Sequence, residues 1–155
     1  MTQWLDPVEQ RAWQSIVALM TRMPSALDTR MQRESGLTHF EFRVLTLLSE
    51  EAGHRMQLSD LAHKANASLS RLSHVISKLE RTGWVRRDST SGKRGVHAVL
   101  TDAGFDKVVA AAPGYVDTVR KLVFDGLDPA QTAALATLGE ILSARVERVL
   151  DEGPC

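Results

Sequence analysis

The sequence predicts a mainly α-helical fold that carries one β-hairpin near its centre. Three observations predict it. Apolar residues recur at helical spacing through both ends of the chain. Capping signatures divide the middle into shorter helices. Two short, apolar-alternating runs in "VRRDSTSGKRGVHAVLT", Val85 to Thr101, flank a loop of Ser, Thr and Gly that holds Lys93 and Arg94. The 155 residues fit one domain, or one domain with an appended element, and suffice to bury a core.

The elements follow in order. Asp6 as cap and Pro7 in the first turn start a long helix over 7–34, with Trp13, Ile16, Val17, Met20, Leu27 and Met31 at helical spacing. Pro24 predicts a kink rather than an end. Gly36 closes this helix. Thr38 with Glu41 is a capping box, and Phe42, Leu45 and Leu48 mark a second helix to about Glu51. "AGHRMQ" is a break with room for a very short strand near Met56. Ser59 is placed to cap a short helix whose Leu58, Leu61 and Ala62 face inward. "NAS" is a turn in which Asn66 tolerates left-handed geometry. Ser68 to Gly83 is a third helical run, then comes the hairpin. Thr101 or Asp102 opens a long helix to about Phe124, in spite of Pro113-Gly114. Asp128 and Pro129 start a last helix to about Leu150.

Net charge is zero, yet its distribution is uneven. Arg55 to His97 holds nine cations and three anions, a net +6, so the remainder carries −6. Such asymmetry fits a segment that meets a polyanion, and equally a solvated charged surface. The wheel of the third helical run bears on this choice. Leu69, Leu72, Ile76 and Leu79 share one arc, which is expected to pack on the preceding short helix. Ser70, Arg71, His74, Lys78 and Arg81 share the opposite arc. A short helix, a tight turn and a second helix with a basic face make a helix-turn-helix, whose second helix can enter the major groove. Ser68, Ser70, Arg71, His74, Lys78 and Arg81 are its candidate DNA contacts. Arg71 suits guanine, because its fork matches two acceptors on that base. Lys78 and Arg81, farther along, suit phosphates.

The runs "LTHFEFRVLTLLSE", "LSDLAHKANASLSRLSHVISKLERTGWVRR" and "VHAVLTDAG" together resemble the MarR family of winged helix-turn-helix transcription regulators. The resemblance implies a three-helix, β-hairpin unit over 37–101. Residues 1–36 and 102–155 would then form the dimerisation lobe of a homodimeric, cytoplasmic repressor reading a pseudo-palindromic operator. It also implies that an arginine near the wing tip reaches the minor groove. Arg94 matches that position, with Lys93 supplying further charge. Family members commonly carry an aspartate two residues earlier; here Gly92 stands there, which implies a less pre-organised arginine, with Asp88 as a substitute anchor.

Other chemistry finds little support. No phosphate loop, nucleophile elbow or paired-histidine metal motif is present, so no catalytic residue, cofactor or metal is expected. Cys155, the single cysteine, cannot form an internal disulfide. No apolar run is long enough for a membrane span. The resemblance also makes a small aromatic or phenolic effector plausible, in a pocket for which Trp13, Met20, His39 and Arg43 are candidates. The rival for Trp13 and Met20 is core or dimer packing. The rival for the whole chain is a helical protein-interaction or small-ligand-binding module with no DNA role.

Overall fold

The computed structural model describes residues 1–89 and 95–153. Helix α1 spans Pro7–Ser35 and passes through Pro24 without ending. Asp6 caps it, accepting from the Val8 and Glu9 amides, while Glu9 accepts from the Asp6 amide. Gly36, at φ +70°, supplies the left-handed residue that stops it. Helix α2 spans His39–Glu50 behind the expected Thr38–Glu41 capping box. A 3₁₀ turn, Ala52–His54, leads to strand β1, Arg55–Gln57.

Helix α3, Leu58–Lys64, starts one residue before Ser59, with Gln57 at the cap position and no side-chain cap bond. The expected Ser59 cap is therefore wrong. The strand runs directly into the helix, so no free turn precedes Ser59. Asn66, at φ +53°, makes the turn into helix α4, Leu69–Arg81, which Ser68 caps through the Arg71 amide. Strands β2, Val85–Asp88, and β3, His97–Leu100, form the hairpin, and β1 joins them in the order β1-β3-β2. Both pairings are antiparallel, with Val85 opposite Leu100 and Arg55 opposite Val99. Helix α5, Asp102–Leu122, continues through Pro113 and stops slightly before Phe124, where a second 3₁₀ turn, Phe124–Gly126, begins. Helix α6, Pro129–Asp151, follows its Asp128 cap.

The chain divides into two compact units, Met1–Tyr115 and Val116–Cys155. In the first, one apolar core joins Leu45 and Leu48 of α2, Leu61 of α3, Leu72, Ile76 and Leu79 of α4, and Val85, Ala98 and Leu100 of the sheet. Met31 of α1 and Val108 and Ala111 of α5 close the same core. The second unit has no buried residue on α6, and its apolar Leu135, Leu138, Ile141, Leu142, Val146 and Val149 all stand exposed.

The wheel reading of α4 needs one correction. Leu72, Ile76 and Leu79 are buried as expected, but Leu69 is 53% exposed. It is the first residue of α4 and lines an open hollow with Leu58 and Val96.

Candidate nucleic-acid interface

Helix α4 owes its position to its apolar side. Leu72, Ile76 and Leu79 are essentially inaccessible, and that fixes which face remains outside. Ser68, Ser70, Arg71, His74, Lys78 and Arg81 are all exposed on the outer side. The structure thus brings the six helix candidates together on one surface. Gly92, Lys93 and Arg94 lie outside the described residues, as does Cys155.

The cations are not equally available. The Arg71 guanidinium lies over the Phe40 ring, 4.0 Å from its centroid. The Lys78 ammonium bonds the carboxylate of Glu41, whose side chain is only 4% exposed. Lys64 bonds Glu51 at 2.5 Å, and this bond raises the lysine above its ordinary pKa. Arg55 pairs with Asp88 at 3.3 Å. Glu41 and Glu51 stand outside the segment whose charges sum to +6, so folding neutralises part of that excess. Among the described residues, Arg71, Arg81 and Arg86 are joined to no carboxylate.

A second network ties the hairpin to α4. Arg87 of β2 donates from Nη2 to the Ser73 carbonyl at 3.0 Å and to Ser77 Oγ at 3.1 Å. Its Nη1 and its backbone amide donate to the Glu80 carboxylate at 3.2 and 3.0 Å. One planar fork thereby sets the base of the hairpin against the outward helix. Neither Phe40, Glu41 nor Arg87 stands out in the sequence for this role. A polar Ser73 and Ser77 beside the apolar arc was the available signal.

The pocket candidates separate. Arg43 lines a cavity of about 110 Å³ with Phe42, Thr46, Leu47, Glu50 and Tyr115. Its guanidinium also donates to the Lys64 carbonyl at 3.1 Å. His39 lies beside this group, with Nε2 3.3 Å from the Tyr115 hydroxyl and its ring stacked on the phenol. Trp13 and Met20 are more than half exposed on α1 and do not line the cavity. Tyr115, which does, escaped the sequence because it follows Pro113-Gly114, where the helical pattern is hardest to follow.

Burial lowers the His39 pKa from its ordinary 6.5, with the Asp28 carboxylate opposing and Arg43 adding to the effect. The unfolded chain then binds more protons than the folded chain between the lowered value and 6.5. This contribution to stability is present above 6.5 and is lost as pH falls through that window. The expected result is a Tm that falls less steeply in His39→Gln than in the parent between about pH 7 and about pH 5. Equal slopes in the two proteins would contradict it.

A family model described as the MarR family matches residues 37–96. Sco3205 of Streptomyces coelicolor, a MarR family transcriptional regulator solved in complex with DNA, is 40% identical, with 92% of this chain and 90% of that one covered at a TM-score of 0.86. AbsC of the same organism, another MarR family regulator, is 34% identical over 94% of this chain and 99% of its own, at a TM-score of 0.85. The transcriptional repressor YetL of Bacillus subtilis is 26% identical over 107 residues, 68% of this chain and 64% of its own length. The helix-turn-helix and strand β2 fall inside the family match, which ends one residue before β3, and the likeness to Sco3205 and AbsC covers more than nine-tenths of this chain. This chain belongs to the MarR family of transcriptional regulators.

Proposed function

We propose that this regulator binds double-stranded DNA in the cytoplasm as a homodimer and represses transcription from a pseudo-palindromic operator. The observation that carries the reading is the outward face of α4, with Ser70, Arg71, His74 and Arg81 exposed beside the hairpin. Sco3205, 40% identical, was solved with DNA, which supports it. Ser68 and Ser70 offer hydroxyls to the groove edge, and Arg71 offers a held fork to guanine. Lys78 keeps two donors beyond its bond to Glu41, so an ammonium there can also meet a phosphate. A mobility-shift titration against the DNA upstream of the protein's own gene tests the reading. Tight, salt-dependent, sequence-selective binding is expected, and absence of binding at low salt would sink it.

Arg94 is assigned to the minor groove and Lys93 to nearby phosphates, by resemblance. A guanidinium in a narrow groove reads width and potential more than base identity. Arg94→Ala is expected to weaken binding across all sequences and to lower the salt slope by about one. Unchanged affinity across a salt series would contradict this.

The dimer rests on residues 1–36 and 102–155. The apolar stripe of α6 stands exposed along the helix, and Trp13, Val17 and Met20 of α1 are exposed as well, apolar surface of the kind a second copy would cover. Light scattering is expected to give twice the chain mass, and a stable monomer would contradict it. The cavity at Arg43 and Tyr115, with His39 beside it, is the proposed effector site. Its aromatic walls, with Arg43 and Glu50 both on the lining, suit a small phenol or aromatic acid, and at about 110 Å³ it is smaller than the cavity of about 150 Å³ that holds benzene, so the guest is at most one ring that reaches out of the opening.

A further inference from the structure

We propose that Leu69 is a specificity-determining residue, and that the hollow it forms with Leu58 and Val96 receives the C5-methyl group of a thymine in the major groove. This rests on the DNA-binding reading above. Leu69 is the first residue of α4 and is 53% exposed, while Leu72, Ile76 and Leu79 of the same helix are buried. Helical side chains lean toward the N-terminus, so Leu69 overhangs the end of α4. In a helix-turn-helix that end meets the base edges.

The hollow is built rather than incidental. It encloses about 280 Å³ between Leu58 at the start of α3, Leu69, and Val96 at the entry to β3, with Gln57, Ser59 and Ser73 also lining it. The Leu58 amide donates to the Val96 carbonyl at 3.0 Å, which holds two of its walls together. It borders the first turn of α4, where the exposed Ser68 and Ser70 flank Leu69 in the chain, and Ser73 on its wall accepts from Arg87 of the hairpin at 3.2 Å. The major-groove edges of the four bases offer donors, acceptors and a single apolar group, the thymine methyl. The apolar walls that Leu58, Leu69 and Val96 give this hollow therefore favour the thymine methyl over the polar base edges. A polar base edge set against Leu58, Leu69 and Val96 gains no hydrogen bond from them, and of the lining only Gln57, Ser59 and Ser73 could supply one.

Duplexes enriched by the full chain from a random-sequence pool provide the test. Each thymine of an enriched site is replaced in turn by deoxyuridine, which keeps the base edge and removes only the methyl. At one thymine position per half-site the parent protein is expected to lose about fourfold in affinity per methyl, the value of one buried methyl group. Leu69→Ala is expected to bind the thymine and uracil duplexes equally, with the same Tm as the parent because Leu69 is not in the core. Indifference of the parent to uracil at every position would overturn the assignment, as would a Leu69→Ala variant that keeps the full discrimination. Failure to enrich any duplex would overturn the DNA-binding reading itself, a result distinct from either.

Discussion

Replacing Gly104 with alanine should destabilise the protein by about 3 kcal/mol and lower its Tm by about 10 °C. A Cβ there would stand 2.1 Å from the Trp84 carbonyl oxygen and 2.6 Å from Leu100 Cδ1. The carbonyl has nowhere to go, because it already accepts the Thr101 amide at 3.0 Å. Thr101 Oγ1 donates to the Gly83 carbonyl at 2.6 Å and accepts the Gly104 amide at 3.1 Å. The end of β3 and the start of α5 are thus locked onto the turn between α4 and β2. Relief of the clash requires moving that turn, and with it the base of the hairpin. Thermal unfolding of Gly104→Ala beside Gly126→Ala measures the effect, since a Cβ at Gly126 meets nothing within 4 Å. Equal melting of the two variants would refute the expectation.

Arg71→Ala should weaken binding to the preferred DNA site by about 1–3 kcal/mol, roughly 5- to 150-fold, and relax preference at one base pair. Its guanidinium is laid over Phe40 at the start of α2, so the fork is ordered before DNA arrives. An exposed arginine would lose several side-chain rotations on binding, and the ring removes part of that loss. Phe40→Leu keeps an apolar side chain against the core but takes away the π face. It should cost about 0.5–1 kcal/mol of affinity, roughly two- to fivefold, with specificity retained. Affinities measured for both variants on the enriched site and on single-base variants of it check this pair. An Arg71→Ala protein with full discrimination would show that the fork reads no base.

The helices and the hairpin were legible because each carries its own punctuation. Asp6-Pro7, Thr38 with Glu41, Gly36 and Asp128-Pro129 act within one turn of chain, and the structure uses every one of them. Ser59 misled because the pairing of β1 with β3 fixes the chain up to Gln57: the sequence leaves room for a very short strand near Met56 but does not say where it ends. Leu69 misled for a related reason. A wheel reports the direction of a side chain around the helix axis, not whether a neighbour extends far enough along that axis to cover it.

Linear spacing is enough to place the outward face of α4, since an arc with Leu72, Ile76 and Leu79 can only turn inward. It is also enough to single out the run "VHAVLTDAG" that ends on Gly104, though not for the reason the glycine is needed. Which cations remain available waits on tertiary structure. Glu41 lies thirty-seven residues from Lys78 and Glu51 thirteen from Lys64, and each pairing depends on how α2 packs against its neighbours. Electrostatic interaction falls with distance through space, and only the packed fold converts positions along the chain into those distances.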